Sequence, residues 1–320
     1  MKALRVENKE LSLSEIPVPE TGSEALIRVL RSGICNTDIE IVKGYAGFEG
    51  TIGHEFVGVV ERSEDAPEWN GKRVVGEINV GCGVCDLCRG FDSRHCSKRT
   101  VLGIVGRDGC HADFLTLPVR NLLEVPEEVS DEEAIFAEPL AAAYGITEQL
   151  EIAPETKVAV IGDGKLGILC AWSLGTKSKE LFLVGKHQSK LKIAEKGNIG
   201  TILLENINKL ERNFDVVVEA SGSESGFQTA LDLLKPRGKL VLKSTFHGKP
   251  TWEAWRVVVD EITIIGSRCG KFSPALDLLK HSSFDVSNLI SDEYPIADGI
   301  RAFEEASKKG VLKVMLSMRS

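Results

Sequence analysis

Four cysteines crowd one short segment of this chain: Cys82, Cys85, Cys88 and Cys96, separated by two, two and seven residues. Glycines at 81, 83 and 90 allow such a loop to wrap around an ion. Four thiolates at ~2.3 Å from one metal form the closed tetrahedral shell of a structural zinc, with no position left for chemistry. His95, beside Cys96, is a competing donor, but four sulfurs already fill the shell. An iron–sulfur cluster also uses four cysteines, and this spacing does not strictly exclude one.

A second set of donors is spread more widely. Gly33-Ile-Cys35-Asn-Thr37-Asp38 and Gly53-His54-Glu55 bracket a glycine-rich loop. Cysteine, histidine and a carboxylate suit a catalytic zinc that keeps one position open. Spacing alone does not bring them together. A lone histidine is more often a hydrogen-bonded structural residue, and a lone cysteine a small buried hydrophobe.

A third feature is glycine-rich. In Val158-Ala-Val-Ile-Gly162-Asp-Gly164-Lys165-Leu166-Gly167, a G-x-G-x-x-G pattern follows an apolar run and opens a helical one. Gly162 permits the tight turn, Gly164 lets the backbone approach a pyrophosphate, and Gly167 allows close packing of helix on sheet. The helix start at Lys165 and Leu166 supplies free N–H groups for phosphates. In an NAD site an acid about 20 residues further on would hold the ribose 2′-hydroxyl. Leu181-Phe-Leu-Val-Gly185-Lys186-His187-Gln-Ser189-Lys190 has none there. Lys186 and Lys190 would attract a 2′-phosphate that a carboxylate would repel, so the expected cofactor is NADP rather than NAD.

These residues need elements to position them. A chain of 320 residues favours two domains. Its 42% hydrophobic and 27% charged content fits a folded globular chain. The net charge of −8 argues against a nucleic-acid partner, and against reading the cysteine loop as a nucleic-acid finger. No apolar run approaches a membrane span, and the N-terminus carries no signal-like stretch, so a cytoplasmic location is expected. Disulfides are then the poorer use of the cysteines.

The first third alternates like β structure, at residues 11–16, 25–30 and 56–60, punctuated by Gly and Pro. Near Glu138 the pattern changes to apolar strands (158–161, 181–184, 215–218, 239–243, 262–265) alternating with helical stretches from 165, over 190–196 and near 225–234. That alternation implies a parallel, doubly wound sheet. Helical stretches at 275–280 and 300–308 precede a last strand, 313–316.

Taken together, Gly33-Ile-Cys-Asn-Thr-Asp38, Gly53-His-Glu55, the four-cysteine loop, Ala137-Glu-Pro-Leu-Ala141, the glycine fingerprint and Glu219-Ala-Ser-Gly222 resemble the zinc-containing medium-chain dehydrogenases, a family that includes alcohol, sorbitol and threonine dehydrogenases. The resemblance implies an α/β fold: a chaperonin-10-like β-barrel catalytic domain, 1–139 and 267–320, carrying both zinc sites, and a doubly wound Rossmann domain, 140–266. It implies an active site between the two domains. Cys35, His54 and Glu138 would ligate a catalytic zinc, with Glu55 beside the metal and sometimes on it. Thr37 would hydrogen-bond the substrate oxygen and start a proton relay, and Lys313 would lie near the cofactor pyrophosphate. A relay histidine is common five residues after the first ligand; here that residue is Glu40. A carboxyl of ordinary pKa, about 4.3, is poorly matched to that role unless burial raises it.

The reading is therefore a zinc-dependent oxidoreductase with two zincs per chain. It would move a hydride between NADP(H) and a small alcohol, aldehyde or ketone, as a homodimer or homotetramer. The alternatives are an NAD-linked polyol or amino-alcohol dehydrogenase, favoured by Glu138, and a non-catalytic zinc- and nucleotide-binding regulatory protein.

Overall fold

A computed structural model describes residues 1–90, 92–195, 199–245, 254–281 and 285–318. The chain divides into two compact units. The first holds Met1–Glu138, Ala275–His281 and Val286–Ser320, and the second Pro139–Pro274.

The first unit is β-rich. Its larger sheet runs in the order Leu122–Glu124, Arg73–Gly76, Glu55–Arg62, Ala25–Gly33, Lys313–Ser317, Ile290–Pro295, with Phe114–Leu117 also paired to Ala25–Gly33. A smaller sheet joins Glu10–Glu15, Lys2–Glu7 and Gly50–Thr51. The last strand lies antiparallel to Ala25–Gly33, with Met315 opposite Gly33 and Leu316 opposite Ser32. The end of the chain thus completes a sheet begun near its start. Leu4, Ile34, Ile41, Ile52, Phe303, Val314 and Leu316 form one buried cluster beneath these strands.

The second unit is a six-stranded parallel sheet. Its order is Gly200–Leu203, Glu180–Gly185, Lys157–Ile161, Phe214–Glu219, Leu234–Leu242, Thr263–Gly266. Counted along the chain this is 3-2-1-4-5-6, the doubly wound order whose direction reverses beside the first strand. Val158 to Ile161 are all buried, as a strand covered on both faces by helices requires. The helix Lys165–Gly175 buries every residue from Gly167 to Leu174. Ser223 caps the helix Glu224–Leu233 by accepting a hydrogen bond from the Gly226 N–H.

The expected strands and helices occur close to where the sequence pattern puts them. The helix expected over 190–196 spans Gln188–Glu195, and Lys196 lies outside the described residues. Several strands were not read from the sequence, among them Lys2–Glu7, Arg73–Gly76, Phe114–Leu117 and Leu122–Glu124 in the first unit. Gly200–Leu203 is four half-buried residues, and Ile290–Pro295 is an edge strand, Ile-Ser-Asp-Glu-Tyr-Pro, too polar to alternate clearly.

Candidate metal and dinucleotide sites

The four-cysteine loop is a local construction. Asn79–Val80 pairs with Thr100–Val101 and closes its base, while the helical turn Asp86–Arg89 carries Cys88. The four sulfurs all lie within 4.8 Å of one another. The Cys82 N–H reaches Cys96 Sγ at 3.5 Å, and Cys85 Sγ lies 3.8 Å from the same sulfur. A Cβ at Gly81 would sit 2.6 Å from Cys88 Sγ, so only glycine leaves room for the cluster. Backbone N–H groups of Val84 and Cys85 hold the Cys82 thiol down to about 6. Desolvation pushes Cys88 up to about 11. The Cys96 thiol is lowered too, by the Cys82 N–H, and a bound cation would favour the thiolate form of all four. His95 is exposed beside this group and is not part of it. The donor set fits a closed tetrahedral zinc.

The second cluster depends on sheet register. Gly33 at the end of Ala25–Gly33 stands opposite Glu55 at the start of Glu55–Arg62. Two residues beyond Gly33, Cys35 caps the helix Asn36–Val42, which places it beside His54 and Glu55. The donor atoms of Cys35, His54 and Glu55 lie within 4.8 Å of one another. Thr37 Oγ1 is 3.8 Å from Cys35 Sγ. Sulfur, imidazole and carboxylate at this separation fit a zinc with a position to spare.

Around this trio lies a buried polar shell. Asp38 Oδ2 accepts a hydrogen bond from the Cys35 N–H at 2.8 Å, and Asp38 Oδ1 lies 3.2 Å from His54 Nδ1. With Nδ1 turned to Asp38, Nε2 is the nitrogen left for a metal. Burial alone would raise the Asp38 pKa, but His54 and His111 outweigh it and hold the carboxyl below the usual range. For His54 burial works downward, and the charges of Asp38 and Cys35 lift it well above its ordinary value.

The remaining expected residues are placed as follows. Glu138 is half-buried in the first turn of the helix Ala137–Tyr144, and its carboxylate does not lie within 4.8 Å of both Cys35 and His54. The acid that the fold does bring there is Glu55, because the strand register sets it directly against Gly33. Lys313, expected near a pyrophosphate, is fully buried and ion-paired to Glu55. Its Nζ also points to the Ile34 carbonyl at 3.4 Å and lies over the Phe136 ring. The reason is positional: Lys313 opens the strand that runs beside Ala25–Gly33, and a buried ammonium needs a nearby carboxylate. Glu40, on the helix after Cys35, pairs with Lys43 at 2.8 Å.

In the second unit the strand Lys157–Ile161 runs into Gly162, whose φ of 120° only glycine adopts readily. A Cβ there would meet the Ala220 carbonyl at 2.7 Å. Gly164 is the residue before the helix Lys165–Gly175, so the free N–H groups of that helix start face the end of the strand. A Cβ at Gly167 would overlap the Gly162 carbonyl, so glycine permits the close helix packing. The next strand ends at Gly185, followed by exposed Lys186 and half-buried Lys190. The intervening turn is held by Asp163, the residue between the first two glycines. Its Oδ2 accepts hydrogen bonds from the N–H groups of Lys186 (2.8 Å) and His187 (2.6 Å), with His187 Nδ1 at 3.0 Å.

Comparison with known proteins now bears on this geometry. Residues 21–127 match the family model described as the alcohol dehydrogenase GroES-like domain, and residues 165–281 match that of the zinc-binding dehydrogenases. A sorbitol dehydrogenase of Halalkalibacterium halodurans is 27% identical, covering 96% of this chain and 95% of its own length. An L-threonine 3-dehydrogenase of Escherichia coli is 28% identical, covering 99% of both. A crystal structure described as a short chain alcohol dehydrogenase from Escherichia coli, complexed with NADH, shares the fold with a TM-score of 0.90. It is 25% identical and covers 99% of each chain. This chain belongs to the zinc-dependent medium-chain dehydrogenases.

The family membership makes it an oxidoreductase acting on alcohols, with a GroES-like unit and a Rossmann unit, and sets aside the non-catalytic reading. Among the described residues of this dehydrogenase, no helix is long and apolar enough to cross a membrane. Sequence reasoning gave no role to Asp38, His111, Ser32 or Asp163. Asp38 did carry a signal: an acid three residues after a helix cap closes back on the cap's N–H, as it does here. His111 carried none, since it comes from a loop far along the chain from Cys35.

Proposed function

We propose that this dehydrogenase transfers a hydride between NADP(H) and a small alcohol or its carbonyl partner, using one zinc at Cys35, His54 and Glu55 and a second at Cys82, Cys85, Cys88 and Cys96. The observation that carries the reading is the pairing of one closed four-sulfur cluster with one compact trio of unlike donors beside a hydroxyl, Thr37. Bound zinc would supply Lewis acidity to the alcohol oxygen, and the nicotinamide the hydride acceptor.

The protein's own groups do the rest. Thr37 accepts the substrate hydroxyl proton and passes its own onward, with Glu40 one turn along the same helix as its outlet toward solvent. Asp38 keeps the His54 ring turned so that one nitrogen faces the ligand side. Lys313 offsets the Glu55 charge in the protein interior, which limits the anionic character of the donor set. Glu138 is kept as a carboxylate that can be drawn in when the metal binds. The glycine loop, Lys165 and Leu166 receive the pyrophosphate at the helix start. The barrel-like unit, 1–139 and 267–320, would carry both zincs, and 140–266 the cofactor. The assembly would be a homodimer or homotetramer.

NADP is favoured because the strand Glu180–Gly185 ends without an acid and is followed by exposed Lys186. One observation favours NAD instead: Asp163 brings a carboxylate to this same corner. Its Oδ2 is already engaged by the turn, so its charge is absorbed there rather than offered to a ribose. Initial rates with each cofactor over a panel of alcohols, polyols and aldehydes test the reading. A preference for NADP is expected, and a tenfold preference for NAD, about 1.4 kcal/mol, would reverse it.

A further inference from the structure

His111 is fully buried, as are Ser32 and Asp38. The loop that carries it is tied at both sides: His111 N–H donates to the Ile52 carbonyl at 2.9 Å, and its own carbonyl accepts from the Leu4 N–H at 2.8 Å. Its ring has little freedom. A Cβ at Gly53, next to His54, would lie 2.5 Å from the ring's Cγ, and Phe303 stands edge-on at 5.8 Å between centroids. Both ring nitrogens face polar atoms rather than apolar packing, and of the two Nδ1 is the hydrogen-bonded one. Nδ1 is 2.8 Å from Ser32 Oγ, and Nε2 is 3.5 Å from Asp38 Oδ2.

A histidine that only filled this space would have no need of polar atoms facing both its nitrogens, and a phenylalanine would fill it at less cost in desolvation. With the Ser32 hydroxyl as donor to Nδ1, Nε2 would be the nitrogen that carries the proton. That proton faces the Asp38 oxygen that also takes the Cys35 N–H. Held so on one oxygen, Asp38 presents the other to His54 Nδ1. The order of contacts is Ser32, His111, Asp38, His54.

We propose that His111, anchored on Ser32, is a positioning residue for the open metal site, fixing the Asp38 carboxylate that orients His54. The inference rests on the reading of Cys35, His54 and Glu55 as a metal site. Partners one shell outside a metal ligand commonly matter for affinity by about ten- to a hundredfold, and His111 extends that support one residue further.

The test is zinc affinity, measured on the metal-stripped full chain by competition with a chelator. Wild-type protein is expected to take up two zincs, and uptake by the four-cysteine loop alone overturns the site reading and this inference together. His111→Phe, which keeps a ring but no donor, is expected to weaken the open site by about tenfold and leave the four-cysteine loop within about twofold. His111→Gln, which restores a donor, should recover most of the loss. Ser32→Ala should cost about threefold at the open site. If two zincs bind and His111→Phe matches wild type within about twofold, or His111→Gln is no better than His111→Phe, the positioning role is overturned while the site reading stands. Should His111→Phe fail to fold, Ser32→Ala decides: an unchanged open-site affinity overturns the proposal, and a selective loss supports it.

Discussion

Between Cys82 and Cys96 all four donors come from one loop, closed by a two-residue ribbon, with Cys88 on a single helical turn. Cys35, His54 and Glu55 meet only because one strand's end is set opposite another's start, and the last strand of the chain brings Lys313 against them. The first cluster has one kind of donor, and three of its four cysteines are partly exposed. The second has three kinds of donor, and Asp38 and His111 stand buried behind it. On the proposed reading the difference is one of purpose: a closed sulfur shell would need only short spacing, whereas an open site would have to be held in shape by its surroundings.

Four substitutions would break or sharpen this contrast. The largest effect belongs to Cys35→Ala, which should lower kcat/KM on a confirmed alcohol by a factor on the order of 10³, read by steady-state kinetics. Asp38→Asn keeps the outline but loses the charge facing His54. A fall in open-site zinc affinity of about ten- to a hundredfold is expected, with the sulfur cluster unmoved; equal losses at both sites would mean that Asp38 serves folding in general.

Lys186→Ala tests the cofactor corner. It should raise KM for NADP by about tenfold and leave NAD within about twofold. Parallel changes for both cofactors would remove the 2′-phosphate from the account.

The smallest effect lies in the Rossmann unit, whose charged contacts answer to pH rather than to metal. Burial alone would raise the Asp215 pKa, but Lys235 and the Lys157 N–H outweigh it and hold the carboxyl below its ordinary value. A depressed pKa contributes stability above the ordinary carboxylate pKa, near 3.9, and loses it as pH falls through the lowered one. Asp215→Asn should therefore lower the melting temperature by about 2–4 °C at pH 7, and the gap should close toward pH 2. A gap that persists at pH 2 would show that the charge is not its source.

What could be read from the sequence follows the same division. The sulfur loop and the glycine turn are local, so spacing alone revealed them. Val158 to Ile161 and Leu181 to Val184 announced a buried parallel sheet, because strands covered on both faces are apolar throughout. The trio at Cys35 was suggested by residue types but assembled only by register. The ion pair of Lys313 with Glu55 was not legible, because it spans almost the whole chain. Asp38 was visible as a helix-capping acid yet not as the carboxylate facing a ligand, a role that needs the position of His54. His111 and Asp163 act through contacts with chain segments far from them, on which no spacing rule bears.

On the proposed reading this one chain holds two unlike zinc sites, and the open one alone does chemistry. Metal content and alcohol-oxidising activity, measured together on wild type, Cys35→Ala and Cys88→Ala, test it most directly. Two zincs are expected in active wild type, one zinc and activity lowered on the order of 10³-fold in Cys35→Ala, and a retained open-site zinc in Cys88→Ala. Full activity in Cys35→Ala, or a fully active wild type holding a single zinc in the four-cysteine loop, would contradict it.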